Sequence, residues 1–162
     1  MNPSTPVASL QWQLRRYAAL ELNDLYDLLR LRAAVLVFEQ RCAYLDLDDK
    51  DRDPAAQHLL GRVEDGALVA YARLLPPGLS YPEPSFGRVV TAPAWRGRGL
   101  GDVLVAEAVR QMQCLWPGHD IQIGAQAHLV NYYGKHGFQV SSEEYLEDDI
   151  PHRHMLRRQS LA

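Results

Sequence analysis

One short stretch, Arg96-Gly97-Arg98-Gly99-Leu100-Gly101, constrains the fold of this chain more than any other. It follows an apolar run at residues 86–90 that predicts a strand, and it opens a long amphipathic segment that predicts a helix. Glycines let a backbone approach a ligand closely, and the first N–H groups of a helix have no partner within it. Two arginines add positive charge at the same place. This glycine turn is therefore expected to bind a diphosphate.

The periodicity of the apolar residues predicts strands that alternate with helices. Asp65-Gly66 joins two of the strands and is typical of a hairpin. Asn23 is the expected N-cap of the first helix, and the aspartate-rich run at residues 46–53 is expected to be a solvated loop. The pattern favours an α/β or α+β layered sheet over a bundle or a sandwich. Strands are predicted at 11–17, 58–64, 67–75, 86–90, 121–125, 138–142 and 152–158, and helices at 25–40, 100–115 and 129–136.

Length and composition are those of an ordinary globular chain. With 162 residues and a formal net charge of -3, we expect one domain at residues 10–158, with tails at 1–9 and 159–162. The charge does not indicate nucleic acid or an anionic membrane as a partner. No apolar run is long enough to cross a bilayer and no signal peptide is visible, so a cytoplasmic location is expected. Cys42 and Cys114 are too far apart for a zinc pattern, and no metal site is predicted.

The elements around the glycine turn resemble the GCN5-related N-acetyltransferase (GNAT) superfamily. They are the preceding strand, the R-x-x-G-x-G pattern of Arg96, Gly99 and Gly101, the helix that follows, and Tyr133-Gly134-Lys135-His136-Gly137-Phe138 further along the chain. In that family the glycine pattern is the pyrophosphate-binding signature for acyl-CoA. Tyr133 matches the tyrosine of a recurrent Y-x-x-x-G-F element.

Three further strings resemble the ElaA branch of that superfamily, a group of predicted acyltransferases. They are Val37-Phe38-Glu39-Gln40, Gly124-Ala125-Gln126-Ala127-His128 and Tyr145-Leu146-Glu147-Asp148-Asp149-Ile150-Pro151-His152. The resemblance covers residues 14–158. It implies a mixed, mostly antiparallel central sheet with helices on both faces. That sheet would splay open in the middle, between the strands at 86–90 and 121–125.

The resemblance also implies acetyl-CoA as the co-substrate, with no metal ion. Its pantetheine arm would lie in the gap of the sheet and pair with backbone groups of Arg88, Val89 and Val90. Gln126 stands where the family usually has an asparagine, and its amide is expected to hydrogen-bond the same arm. The diphosphate would be held by Arg96, Gly97, Arg98, Gly99, Leu100, Gly101 and Asp102.

Acyl transfer from a thioester to an amine needs a neutral nucleophile, a polarised carbonyl and a proton for the departing thiolate. On the resemblance, a backbone N–H of the splayed strand stabilises the oxyanion and Tyr133 protonates the sulfur; a core tyrosine is the alternative. Glu39 is the candidate general base and acceptor-binding residue, against the alternative of an exposed glutamate near a helix end. His152 and His154 would lie on the same side of a strand and flank the acceptor pocket.

The resulting hypothesis is an N-acetyltransferase that transfers an acetyl or other acyl group directly to an amine in a ternary complex. If the acidic runs at 46–53 and 143–149 both border the acceptor opening, they would favour a cationic amine such as a polyamine, an aminoglycoside or a lysine side chain. A catalytically silent acyl-CoA-binding sensor on the same fold is the alternative from a different class. An oxygen acceptor or a longer acyl chain also stays open, and the resemblance is compatible with a homodimer.

Overall fold

The computed structural model describes residues 9–160, in which eight strands form two antiparallel sheets. The strands are Gln11–Arg16 (β1), Gln57–Arg62 (β2), Leu68–Leu75 (β3), Ser85–Thr91 (β4), Ile121–Gln126 (β5), Gln139–Val140 (β6), Tyr145–Glu147 (β7) and Ile150–Arg157 (β8). The first sheet has the order β1-β2-β3-β4. The second has the order β5-β8-β6, and β7 also pairs with β8. The tails expected at 1–9 and 159–162 lie mostly outside the described residues.

The helices of the described range are Leu22–Arg32 (α1), which continues as the π-helix Ala33–Glu39, Leu100–Leu115 (α2) and Val130–Gly134 (α3). The prediction of Asn23 as the first N-cap is wrong. Glu21 takes that position because it exchanges hydrogen bonds with Asp24 in a capping box, so the helix begins earlier. None of the helices between residues 9 and 160 is both long and apolar enough to cross a membrane.

The two long helices lie on opposite faces of the first sheet. Neighbouring residues of a strand point to opposite faces. Leu60 of β2 packs in the apolar cluster that contains Leu28 of α1, whereas Leu59 packs in the cluster that contains Leu104 of α2. The predicted layered α/β sheet with helices on both faces is therefore confirmed.

The sheet splays open between β4 and β5, as expected. These two strands are the facing edges of the two sheets and do not pair with each other in a ladder. At their beginning they are joined by a hydrogen bond from the N–H of Gln122 to the carbonyl of Pro84, at 3.1 Å. Beyond this link a cavity separates them.

The expectation of a solvated loop at residues 46–53 is wrong for its inner residues. Asp46 and Asp51 are only 7% and 6% exposed. Both bind Arg32, which is fully buried at the end of α1. The Nε of Arg32 lies 2.9 Å from a carboxylate oxygen of Asp46, and its Nη1 lies 2.7 Å from one of Asp51. A buried ion needs a partner of opposite charge, because the loss of its hydration is costly.

Two more arginines complete a charge network, which comprises Arg32, Asp46, Asp48, Asp51, Arg73 and Arg88. Arg73 of β3 donates through Nη1 to Asp48 at 2.7 Å and to Asp51 at 3.1 Å. The Nε of Arg88, on β4, lies 2.8 Å from Asp46. Three positive charges thus meet three negative ones. The network ties α1, the aspartate loop, β3 and β4 to one another.

We expect Arg32→Met to lower the free energy of unfolding by about 3–5 kcal/mol, because two buried carboxylates lose their cation. Urea unfolding followed by circular dichroism measures the loss. Arg110→Met is the control, since Arg110 pairs with Glu107 at the surface of α2. This control should leave the midpoint nearly unchanged. Equal effects of the two substitutions would contradict a structural role for the network.

Acid should weaken the network. Burial alone would raise the pKa of Asp48, but Arg73 and Arg88 outweigh it and lower the pKa to about 2. In the unfolded chain an aspartate has a pKa of about 4, so the unfolded state binds more protons as the pH falls. The stabilisation is present above about pH 4 and is lost towards about pH 2. Over this range the free energy of unfolding should fall more steeply for the wild type than for Asp48→Asn. Parallel curves would refute the assignment.

Candidate active site

A cavity of about 560 Å³ lies between β4 and β5. Residues 86–89 form one wall and residues 123–126 form the other. The chain that follows the π-helix and the turn between β7 and β8 complete its lining. The cavity therefore occupies the gap in which the sequence predicts the pantetheine arm.

The β4 wall contains a bulge. Gly87 of β4 pairs with Arg73 of β3, and Val90 pairs with Tyr71. Between these two pairs β4 has two residues, whereas β3 has one. Arg88 and Val89 are therefore left out of the ladder, and both line the cavity. They have no one-to-one partner on β3 and face the space in which the sequence predicts a bound arm. Val90, the third predicted residue, is paired within the sheet.

The conformation of Arg88 is strained, and its side chain holds it in place. Its φ of +51° lies in the left-handed region, which typically costs a non-glycine residue about 1–3 kcal/mol. Its guanidinium contacts the carboxylate of Asp46, and Nη2 also donates to the Asp46 carbonyl at 3.0 Å. The charge network thus fixes the bulge, a role for the Arg88 side chain that the sequence did not indicate.

The glycine turn precedes α2 and stands outside the lining of the cavity. Gly97 and Gly99 have φ values of +78° and +75°, and no atom lies within 4 Å of the position that a Cβ would take at either residue. Gly99 is the N-cap of α2, so Leu100, Gly101 and Asp102 form its first turn. The amides of this turn have no partner within the helix, which is the arrangement that the predicted anion site requires.

The two arginines of the turn differ in their surroundings. Arg98 stacks over Trp95 at 4.8 Å, and its Nη1 is buried without a hydrogen-bond partner in residues 9–160. Arg96 donates through Nη1 to the carboxylate of Glu39 at 2.6 Å. A buried guanidinium nitrogen without a partner, beside free helix amides, fits the diphosphate of acyl-CoA.

Glu39 was expected to act as the general base and to bind the acceptor. The structure places it at the end of the π-helix, half-exposed and paired with Arg96. It does not line the cavity. The geometry therefore associates Glu39 with the diphosphate site and not with the acceptor.

The first turn of α2 packs against α3. A Cβ on Gly101 would lie 2.8 Å from the hydroxyl of Tyr132, so only glycine fits there without movement. The carboxylate of Asp102 accepts a hydrogen bond from Nε2 of His136 at 2.9 Å. This bond lowers the pKa of Asp102, which is also 3.6 Å from Nζ of Lys135. The two basic neighbours offset its negative charge beside the anion site.

Tyr133 follows Tyr132 on α3 and lines the cavity. Its ring packs at an angle against Phe86 and Phe138, with centroids 6.3 Å and 6.1 Å away. Burial raises the pKa of Tyr133 above its ordinary value, so the hydroxyl stays protonated. Tyr133 thus combines a protonated hydroxyl with a place in the cavity lining, so it stays the candidate proton donor.

The three remaining predicted site residues lie on the second sheet. Gln126 and His152 are directly paired across β5 and β8, and both line the cavity. The amide nitrogen of Gln126 donates to Oε1 of Gln40 at 3.2 Å. His154 does not line the cavity; its ring contacts Tyr145 at 4.7 Å and Tyr81 at 5.3 Å. The structure thus brings Gln126 and His152 into the site and leaves His154 behind its wall.

The sequence reasoning missed Tyr81, which lines the cavity, and Tyr145, which packs beside His152. A Cβ on Gly124 would lie 2.9 Å from the hydroxyl of Tyr81 and 3.0 Å from that of Tyr145. Gly124 on β5 therefore makes room for both. A glycine inside a strand often marks such a close approach, and it was the signal available in the sequence. For metals, residues 9–160 contain no group of three or more His, Cys, Asp or Glu side chains that could hold an ion.

A splayed sheet, a bulged strand at the gap and a glycine turn at a helix N-terminus define the class of acyl-CoA N-acyltransferases. Residues 37–158 match the acetyltransferase (GNAT) domain, so the chain belongs to the GNAT acetyltransferase family. Membership implies acyl-CoA binding, and the turn and the cavity described above fit it.

Within the family, the chain is similar to ElaA of Escherichia coli. The two are 40% identical over 91% of this chain and 96% of ElaA, and the ElaA crystal structure superposes with a TM-score of 0.85. A UPF0039 protein of Synechocystis is 42% identical over 92% of this chain and 96% of its own length. An acyl-CoA N-acyltransferase of Pseudomonas aeruginosa is 44% identical, covers 92% of this chain and 99% of its own, and has a TM-score of 0.87. The expected ElaA-like branch is confirmed.

We expect Gly99→Asp to weaken acetyl-CoA binding at least about tenfold, or about 1.4 kcal/mol, because a carboxylate at the anion site repels the diphosphate. Calorimetric titration measures the affinity. Gly66→Asp is a matched control: Gly66 also has a positive φ and open space around it, but lies in the turn between β2 and β3. Equal affinities of the two variants would contradict the assignment of the glycine turn as the diphosphate site.

Proposed function

We propose that this protein transfers an acetyl group from acetyl-CoA directly to an amine within a ternary complex. The observation that carries the proposal is the cavity, because the bulge at Arg88 and Val89 and the side chain of Tyr133 both line it. A thioester carbonyl at the bulge and a sulfur near Tyr133 would lie together in this one cavity. No covalent enzyme intermediate is needed for this reaction.

Each chemical requirement has a candidate group. Val89 lies in the bulge and lines the cavity, so its N–H is the candidate to stabilise the negative charge that develops on the carbonyl oxygen. The Tyr133 hydroxyl donates its proton to the departing sulfur. The fixed bulge keeps the N–H in place, so little reorganisation is needed when the charge develops.

The charges around the cavity bear on the acceptor. The aspartate loop adds little negative charge, because its inner carboxylates are matched by the three arginines of the network. Glu147 and Asp148 line the cavity on the side of β7, and Lys50 lines another part of it. Support for a cationic amine therefore comes from Glu147 and Asp148 and not from residues 46–53.

Release of free thiol from acetyl-CoA tests the proposal, with polyamines, aminoglycosides and a lysine-containing peptide as acceptors. We expect amine-dependent thiol release by the wild type. Tyr133→Phe should lower kcat roughly 100-fold, because it removes the proton donor and keeps the ring packing. Its affinity for acetyl-CoA should be unchanged.

Tyr26→Phe is the control for this substitution, since Tyr26 is an exposed residue of α1. It should retain full activity. Binding of acetyl-CoA without thiol release for any amine would favour the sensor alternative. Full activity of Tyr133→Phe would limit Tyr133 to a packing role.

A further inference from the structure

His152 is held in one tautomer at the acceptor side of the cavity. Its side chain is mostly buried and lines the cavity. Nδ1 lies 2.7 Å from the backbone carbonyl of Ile150. A carbonyl only accepts hydrogen bonds, so Nδ1 carries the proton and donates it. In the neutral ring the lone pair is therefore on Nε2, the nitrogen on the opposite side.

Nε2 faces the carboxylate of Glu147 at 3.5 Å. This separation is longer than a good hydrogen bond, and the Glu147 side chain is 57% exposed. Two hydrogen-bond acceptors thus converge on one point at the cavity edge. A primary ammonium group placed there would donate to both of them. The carboxylate would attract the cation, and the imidazole would be in position to take a proton from it.

We infer that His152 is the general base of acyl transfer to a primary ammonium acceptor, and that Glu147 binds this ammonium. The inference rests on the proposed function, and it gives His152 the role of general base that the sequence analysis assigned to Glu39. Glu39 is engaged with Arg96 outside the cavity, whereas His152 lies on the cavity together with Tyr133.

The proton balance follows from these positions. The ammonium gives one proton to Nε2 of His152, which passes it to solvent. The neutral nitrogen bonds to the thioester carbonyl carbon, the carbon–sulfur bond breaks, and its electron pair leaves with sulfur. Sulfur takes the proton of Tyr133. Of the two protons left on nitrogen, one stays in the amide and the other replaces the proton lost by Tyr133.

Acidic and aromatic side chains surround the imidazole ring of His152. Glu147 and Tyr145 of β7 face it, and the Tyr145 ring stacks on it with centroids 6.0 Å apart. Asp148 follows Glu147 and also lines the cavity. Gln126, which pairs with His152 from β5, carries no charge. The carboxylates of Glu147 and Asp148 thus lie on the side of the ring at which a cationic acceptor would enter.

His152→Asn tests the inference, because the asparagine amide can keep the hydrogen bond to the Ile150 carbonyl while the basic nitrogen is lost. For the best amine of the panel, we expect kcat/KM near neutral pH to fall roughly 100-fold or more. The variant should also lose any rise of kcat/KM with pH that is measured for the wild type, because this position no longer holds a base. Added imidazole should restore part of the activity, and the affinity for acetyl-CoA should not change.

His119→Asn is the control, since His119 is exposed after α2 and does not line the cavity. It should behave as the wild type. Glu147→Gln should raise KM for the amine, because the ammonium loses its negatively charged partner.

The outcomes separate the two proposals. An active wild type with a His152→Asn variant that keeps its activity and pH profile would overturn the base assignment alone. A variant that loses acetyl-CoA affinity in proportion to activity, without rescue by imidazole, would assign His152 a structural role instead. A wild type that binds acetyl-CoA but acylates no amine would overturn the proposed function, and the base assignment with it.

Discussion

The buried charge network is the interaction on which the rest of the site depends. Arg32 binds Asp46 and Asp51 in the interior, where a buried positive or negative charge is stable only beside a charge of the opposite sign. Asp46 in turn holds Arg88, whose strained backbone forms the bulge. Displacing the network would therefore release the strand that faces the gap. A helix, a loop and two strands thus become one rigid support for the β4 wall of the cavity.

The site has two halves that meet at α3. The glycine turn supplies helix amides and a buried arginine for an anion, whereas the cavity supplies a bulged strand and a protonated tyrosine. Tyr132 contacts Gly101 of the turn, and the adjacent Tyr133 lines the cavity. A short helix of five residues therefore sets the distance between the diphosphate site and the reacting centre.

Local patterns explain which parts of the fold were predictable. The Asp65-Gly66 turn closes its hairpin with a hydrogen bond from Val63 to Ala67, and this depends only on neighbouring residues. The start of α2 follows in the same way from its glycine N-cap. Asn23 failed as the N-cap because Glu21 and Asp24 offered a better local pair. The aspartate loop failed because its arginine partners lie 14 to 42 residues away in sequence.

The sequence by itself determined the order of the helices and of the described strands other than β7, the glycine turn and the family, because each is encoded in spacing along the chain. Only the tertiary structure decided which charges are buried and which residues share the cavity. It paired Glu39 with Arg96, brought His152 to the acceptor side and placed His154 behind the wall. Such choices depend on contacts between distant segments, and the energy of a charge changes most when such contacts remove it from water.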